Sequence, residues 1–196
     1  MSERALPLFP LHTVLFPGGQ LPLRVFEPRY LKMVCACLKE GSEFGICLIR
    51  SGQEVGRAAQ TYPVGTLARI ADWDRGPDGL LAITCRGGQR FRIRSVRVEP
   101  DQLTVARVVV LPPDPEEFVP AHLQGLAGLL ERILDRIEPP EAGDDERPLE
   151  DAGWVGARLA ELLPLPAAEK QELLELTDPI ERLERLQESA RGLRFP

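Results

Sequence analysis

The sequence predicts an α+β protein, in which a β-domain that contains one helix is followed by a helical domain. From Leu6 to about Leu111, short apolar runs alternate with polar residues between turn signals, which is typical of strands, except over one helical stretch. From Pro112 onward, apolar residues recur every three or four positions, which is typical of amphipathic helices. We therefore expect two domains, residues 1–111 and residues 112–196.

The first strands are interrupted by prolines. Because proline has no backbone N–H, it is confined to edge strands, bulges and turns. The pair Gly18-Gly19 supplies the positive φ angles that a tight turn between two such strands needs. We therefore expect edge or bulged strands joined by tight turns at Pro7, Pro10, Pro17 and Pro22.

A helix is predicted over Pro28–Glu40. Proline suits the first helical position, and Gly41 is expected to end the helix. Glu27 is expected to cap the helix or to interact with its dipole. Phe26 and Tyr30 are expected to pack in the core and to fasten the start of the helix to the sheet. One face of the helix carries the apolar residues Tyr30, Leu31, Val34 and Leu38.

The strands after this helix are predicted from alternating apolar residues, with turns between them. Turns are expected at Gly76–Gly79, at Gly87-Gly88 and at Glu99–Asp101, because glycine, proline and aspartate favour them. The alternating pairs are Ile46/Leu48, Leu81/Ile83, Phe91/Ile93 and Val105/Val109.

The second half predicts helices. One helix should begin near Pro120, a short one should precede Pro164, and a third should start at Asp178, with Pro179 in its first turn and Glu181 at its third position. The stretch 138–151 is rich in carboxylates and lacks apolar periodicity, so we expect a mobile loop there. The first helix should bury Leu123, Leu126, Leu130, Ile133 and Ile137.

These segments, taken in order, closely resemble the N-terminal, substrate-binding domain of Lon proteases in its free-standing form. The resemblance runs from Leu6 to Leu186, and its most specific motifs are Leu6-Pro-Leu-Phe-Pro-Leu11, Phe16-Pro-Gly18 and Leu21-Pro-Leu-Arg-Val-Phe-Glu-Pro-Arg-Tyr30. It implies a twisted, barrel-like, PUA-like β-domain. It also implies a non-enzymatic role in recognising unfolded or extended polypeptide, with an ATP-dependent protease as a further partner.

Composition bounds the possible partners. The chain has 24 basic and 30 acidic residues, a net charge of −6, so nucleic acid is not the default partner. No run reaches the roughly 18 apolar residues that a membrane span needs, and the start Met-Ser-Glu-Arg lacks the pattern of a signal peptide. We expect a cytoplasmic protein.

The four cysteines form no CxxC pair, which favours reduced thiols over a zinc site or a disulfide.

Catalytic motifs are missing from the 196 residues. No lysine follows a glycine, so there is no phosphate-binding loop of the Walker type, and no serine lies in a Gly-x-Ser-x-Gly turn. The available imidazoles are His12 and His122, and a Cys35–His122 pair stays open as an alternative. We expect no enzymatic activity, no cofactor and no metal, and we expect the motor and protease domains of Lon to be absent.

A peptide-binding site is predicted on the β-domain. Tyr62 and Trp73 lie near turns, where an aromatic ring is a candidate for contact with a partner. If 89–95 is a strand, Arg90, Arg92 and Arg94 point to one basic face within reach of these rings. Two alternatives remain open: an ordinary solvated face whose arginines pair with carboxylates, and a nucleic-acid-binding module that uses the same arginines. An enzyme of unrecognised type is a third possibility.

Overall fold

The chain divides into two compact units, Met1–Pro113 and Asp114–Pro196, in a computed structural model that describes residues 3–76, 78–137 and 147–191. This division lies close to the expected boundary after residue 111. The first unit contains a seven-stranded sheet and one helix. In chain order its elements are β1 (Glu3–Leu11), β2 (Gln20–Val25), α1 (Pro28–Glu40), β3 (Phe44–Ser51), β4 (Gln60–Thr61), β5 (Val64–Arg75), β6 (Leu81–Val98) and β7 (Thr104–Val110).

The sheet closes on itself, so the expected barrel-like β-domain is confirmed. Strands β1, β7, β6, β5 and β3 pair in that order, and β3 pairs back with β1. The β1–β3 pair is parallel, and the other pairs of the ring are antiparallel. Strand β2 is added to β6 and short β4 to β3. The ring encloses one apolar cluster around Phe91, and a second cluster lies between the sheet and α1.

The prolines of β1 and β2 lie in strand segments of the edge type, to which proline was expected to be confined. Strand β1 pairs with β7 through Glu3–Pro7 and with β3 through Leu8–Leu11. Each half of β1, with its one proline, therefore has one strand neighbour in the described part of the chain. Pro22 lies on β2, which pairs with β6 alone. Edge-type pairing thus accommodates the missing N–H groups.

The turn expected at Gly87-Gly88 is wrong, because β6 runs through both glycines. Gly87 instead meets another segment: its N–H donates to Gly19 O at 2.9 Å, and Gly18 N–H donates to Gly87 O at 2.9 Å. A Cβ atom on Gly87 would lie 2.1 Å from Phe16 O. The glycine therefore serves a close approach between two backbones. The turns expected at 76–79 and 99–101 are confirmed, since Gly76 N–H donates to Leu80 O and Glu99 N–H donates to Leu103 O.

Helix α1 has the predicted bounds, and Gly41 ends it with φ of 63°. Tyr30 is buried and stacks on Phe9, with ring centroids 4.1 Å apart. Phe26, however, is 52% exposed, so its expected place in the core is wrong. The reason is the alternation along the end of β2, which places Val25 in the core and turns the next residue outward.

The carboxylate of Glu27 forms no capping hydrogen bond to α1, so the first of its two expected roles is wrong. It accepts hydrogen bonds from Arg29 Nη2 at 3.0 Å and from Gly56 N–H at 3.3 Å. Arg29 is buried, and it also donates to Gln102 O at 3.0 Å and Glu54 O at 3.3 Å. Glu27 and Arg29 therefore tie the start of the helix to two loops.

The second unit is helical in its described residues. Asp178 caps its last helix as predicted, since Oδ1 accepts from Ile180 N–H at 2.8 Å and from Glu181 N–H at 3.2 Å. On its first long helix, Leu134 is buried in place of Ile137, which is exposed. The expected mobile loop falls largely on 138–146, outside the described residues. After a 3₁₀ turn at Ala121–Leu123, the helices are α2 (Gln124–Ile137), α3 (Ala152–Leu162), α4 (Ala167–Glu175) and α5 (Pro179–Arg191).

Candidate functional site

Trp73, a candidate for partner contact from its place near a turn, is exposed and lies on a strand edge that has no neighbouring strand among the described residues. Its side chain is 60% exposed, and on β5 it pairs with Ile83 of β6. The other neighbour of β5 is β3, and that pairing stops at Ala68. Among the described residues, Ile70–Arg75 therefore has a strand on one side only. An unpaired edge of this kind presents backbone groups to which another chain can bind.

Two aspartate side chains form hydrogen bonds with backbone N–H groups of this edge. Asp72 Oδ1 accepts from Trp73 N–H at 2.8 Å, and Asp74 Oδ1 accepts from Arg75 N–H at 2.6 Å. These bonds satisfy two backbone donors of the edge strand, and they are exposed to solvent. A chain that pairs with these donors must displace the two carboxylates. The edge is therefore polar and screened when it has no partner.

A cleft of about 330 Å³ lies beside the Trp73 ring. It crosses β2, β6 and β5, and its walls include Pro22, Arg24 and both aspartates. Arg24 forms an ion pair with Asp78 at 2.8 Å. The cleft thus combines an apolar ring with carboxylates, a composition that suits a peptide with apolar and basic side chains.

Tyr62 lies near the predicted arginines, but Trp73 does not. Tyr62 is half-buried, and the next residue, Pro63, accepts a backbone hydrogen bond from Ile93 N–H at 2.8 Å. Trp73 is opposite Ile83, and Arg92 lies nine residues further along β6, a length of roughly 30 Å measured along the strand at 3.3 Å per residue. The expectation that both aromatic residues lie within reach of one basic face is therefore wrong for Trp73.

Arg90 is not on a solvated face. It is 3% exposed, whereas Arg92 is half-buried and Arg94 is exposed. Arg90 pairs across strands with Thr66, whose hydroxyl donates to Leu15 O at 2.6 Å. The segment after β1 therefore lies across this part of the sheet, a contact distant in sequence that strand alternation cannot reveal. The expected exposed face of three arginines is wrong at Arg90.

Sequence reasoning missed a larger basic cleft on the β-unit. It has a volume of about 720 Å³, and it contains Arg69 of β5 directly opposite Arg86 of β6. Only the strand register brings these two side chains together, so no local motif could have found them. The other lining residues are Arg4, Glu43, Leu67, Gly87, Gly88, Gln89 and Val110.

A third surface was also missed, on the helical unit. Phe118 is 80% exposed and lines a cleft of about 510 Å³ with residues of α2. Acidic residues and a proline precede it and Val119-Pro120 follows it, so no apolar periodicity marked it.

The cysteines offer little reactive chemistry. All four are free, and Cys35 is exposed while the others are buried. Burial raises the pKa of Cys47 and of Cys85 to about 12, so these two thiols stay protonated at neutral pH. Among the described residues, no group of three or more His, Cys, Asp or Glu side chains could hold a metal ion. In the same residues, no helix has the length and apolar character needed to cross a membrane.

The curated proteins to which this chain is similar include two Lon proteases. Lon protease 2 of Herpetosiphon aurantiacus is 32% identical over 188 residues, which cover 92% of this chain and 23% of that protein. The Lon protease of Paraburkholderia phytofirmans is 29% identical, over 97% of this chain and 25% of that protein. The chain thus spans about a quarter of the length of these curated relatives.

Solved structures match over nearly the whole chain. The crystal structure of the Lon N-terminal domain protein from Xanthomonas campestris has a TM-score of 0.80 and 42% identity, and the match covers 94% of this chain and 98% of that one. The N-terminal domain of a Mycobacterium avium complex Lon protease has a TM-score of 0.70 at 21% identity, and it supports the fold alone. A family model, the ATP-dependent protease La (LON) substrate-binding domain, matches residues 5–190. Since that match spans both units, the chain belongs to the LON substrate-binding domain family.

Proposed function

We propose that this chain is a non-enzymatic module that recognises extended polypeptide by adding it to the free edge of β5 at Ile70–Arg75. The observation that carries the proposal is Trp73, an aromatic ring that is 60% exposed on an unpaired strand edge. Backbone hydrogen bonds to the edge supply affinity that depends little on sequence, and the ring supplies an apolar anchor. This combination suits a protein that must accept many polypeptides.

The two aspartates add a preference. A bound strand would run past Asp72 and Asp74, whose carboxylates lie at the edge itself. A lysine or arginine in the ligand could pair with these carboxylates once they release the edge N–H groups. We therefore expect the edge to prefer segments in which basic residues flank an apolar one, and to disfavour acidic segments.

The family supports the wider setting of this proposal. The matched family is described as a substrate-binding domain, and the relatives are named as Lon proteases. We propose unfolded or extended polypeptide as the ligand, an ATP-dependent protease as a second partner, and the cytoplasm as the place of action. We also propose that the chain neither hydrolyses ATP nor cleaves peptides, because its 196 residues carry neither set of motifs.

Tyr62, Arg92 and Arg94 form a separate proposed contact surface. Pro63 O accepts from Ile93 N–H, so the backbone that carries Tyr62 lies beside that of the two arginines. Their distance from Trp73 means that the two surfaces must be tested independently. The buried Arg90 is proposed to support this surface from below and not to contact the ligand.

The test is a peptide array read with wild-type protein, Trp73→Ala and Trp73→Phe. Trp73→Ala should lose most of the signal for peptides with alternating apolar and basic residues, whereas Trp73→Phe should keep most of it. Val96→Ala serves as the matched control, since Val96 is also an exposed apolar strand residue. An unchanged array with Trp73→Ala would overturn the proposal. The double variant Arg92→Gln with Arg94→Gln is read on the same array, and a loss confined to it would move the site to the Tyr62 surface.

A further inference from the structure

Two arginines face each other in the large cleft of the β-unit. Arg69 of β5 and Arg86 of β6 are direct partners in the strand register, and both are exposed. Directly opposed residues of an antiparallel pair have Cβ atoms about 5 Å apart and lie on the same face of the sheet. Two guanidinium groups are therefore held side by side, and like charges in this position destabilise a sheet.

Among the described residues, neither arginine has a carboxylate partner that offsets this repulsion. Within the described ranges, no side-chain hydrogen bond or ion pair involves either guanidinium. Three other exposed arginines of the same unit are paired, Arg4 with Glu43 at 2.8 Å, Arg24 with Asp78 at 2.8 Å and Arg97 with Glu99 at 2.7 Å. Arg94 and Arg107 are exposed and, like Arg69 and Arg86, have no carboxylate partner among the described residues. Arg69 and Arg86 differ from these single arginines because they lie directly opposite each other on neighbouring strands.

The surroundings of the pair form a site and not a flat surface. The cleft has a volume of about 720 Å³, and Leu67 and Val110 contribute apolar lining. At Gly88 and Gln89 the register between β5 and β6 shifts by one residue, since Thr66 pairs with Arg90 and Ala68 with Gly87. Bulges of this kind are frequent beside binding sites because they redirect side chains and free backbone groups.

We propose that Arg69 and Arg86 bind the carboxylates of an acidic polypeptide segment in this cleft. Each guanidinium can hold a carboxylate with two parallel hydrogen bonds, and an anion between the two groups removes their mutual repulsion. The inference rests on the proposed function only in taking polypeptide as the ligand, because this cleft and the β5 edge contain different residues. Together they would give the β-unit one acid-binding and one base-preferring surface.

Polypeptide is favoured over nucleic acid by the composition of the cleft. Proteins that bind single-stranded nucleic acid stack bases on aromatic side chains, and none of the lining residues is aromatic. A peptide carboxylate flanked by small apolar contacts fits this lining better than a run of phosphates.

The test is fluorescence anisotropy with a labelled peptide that carries two adjacent glutamates, and with the same peptide in which glutamine replaces both. Wild-type protein should prefer the glutamate peptide, and Arg69→Gln or Arg86→Gln should each weaken its binding about tenfold, the loss expected for a charge-assisted hydrogen bond. Arg107→Gln is the matched control, since Arg107 is exposed on β7 and pairs across strands with Ala5 and Ser95, neither of which is charged. It should bind as wild type does.

Three further arms make the outcome decisive. Trp73→Ala should leave the glutamate peptide bound, so failure of the β5 edge and failure of this cleft can be told apart. Circular dichroism must show both arginine variants folded, and we expect them to be at least as stable as wild type because they relieve like-charge repulsion. Equal affinity for the two peptides, or unchanged binding by the double variant Arg69→Gln with Arg86→Gln, would overturn the proposal. The proposal would also be overturned if a labelled single-stranded oligonucleotide bound more tightly than the glutamate peptide and if these variants abolished that binding.

Discussion

Single residues explain why the segment from Glu27 to Tyr30 is a strong motif in this chain: its side chains form bonds within the fold. The Arg29 guanidinium lies 4.6 Å from the centroid of the Tyr30 ring and donates to two loop carbonyls and to Glu27. A buried arginine that forms several bonds is costly to remove, because its partners are left without donors. The motif therefore holds the start of α1 against the sheet and the loops.

Arg29 gives the first prediction at this scale. Arg29→Lys should lower the free energy of unfolding by about 2–4 kcal/mol, since one ammonium group cannot reach three acceptors arranged for a fork. Urea unfolding followed by circular dichroism measures it. Lys32→Ala on the same helix is the control, because Lys32 is exposed and 3.8 Å from Asp101, a pair that should contribute less than about 1 kcal/mol. Equal effects of the two variants would contradict the structural role of Arg29.

Tyr30 gives a prediction on alkaline stability. Burial is the main cause that raises the pKa of the Tyr30 phenol to about 12, whereas an unfolded tyrosine ionises near pH 10. The unfolded chain therefore releases this proton first as the pH rises, so the folded state loses stability between about pH 10 and pH 12. Tyr30→Phe removes this group and should lose less stability than wild type between pH 9 and pH 11. Urea midpoints at the two pH values measure the difference. Cys47 and Cys85, whose pKa values are also raised, are present in both proteins.

At the scale of elements, the sequence predicted what local chemistry controls. Pro28 and Gly41 set both ends of α1, and Asp178 sets the start of α5, because capping acts within a few residues. The errors have a common physical cause. Gly87 and Arg90 depend on the segment Leu15–Gly19, which crosses the sheet from far away in sequence. The pairing of Arg69 with Arg86 likewise requires a strand register, which alternation alone does not supply.

Gly87 tests this contact between elements. Gly87→Ala should destabilise the protein by about 1–3 kcal/mol or more, because its Cβ would lie 2.1 Å from the backbone oxygen of Phe16, which cannot move as a flexible side chain would. Gly125→Ala is the matched control: it lies in α2 with no atom within 4 Å of the added Cβ, and it should stabilise by up to about 1 kcal/mol. Thermal unfolding of the two variants measures both effects. Similar melting temperatures would mean that the turn at Phe16 is not held against β6.

At the scale of the whole molecule, the residues that identify the family differ from the residues that form the proposed binding surfaces. Consecutive motifs from Leu6 onward are specific because they encode prolines, caps and a buried arginine that this fold needs, and the family match over residues 5–190 confirms that interpretation. Those motifs are structural, so they indicate the fold and not the ligand. The two proposed binding surfaces, at Trp73 and at Arg69 with Arg86, lie outside the strongest motif. Trp73 was predictable as a ring near a polar turn, whereas the arginine pair was not.

The division of the chain gives the last prediction. Residues 1–113 contain the closed ring and its two apolar clusters, and β7 completes the ring by pairing with both β1 and β6. A domain with its own core can fold by itself. We therefore expect a fragment of residues 1–113 to unfold cooperatively in urea and to retain binding that depends on Trp73. A fragment of residues 1–103 is the control, because it lacks β7, leaves β1 and β6 unpaired along one side, and should not fold.

If the longer fragment also unfolds without a cooperative transition, the β-unit is not an independent folding unit. If it folds but loses peptide binding, the proposed edge of β5 is not sufficient for recognition, and residues beyond 113 must contact the ligand.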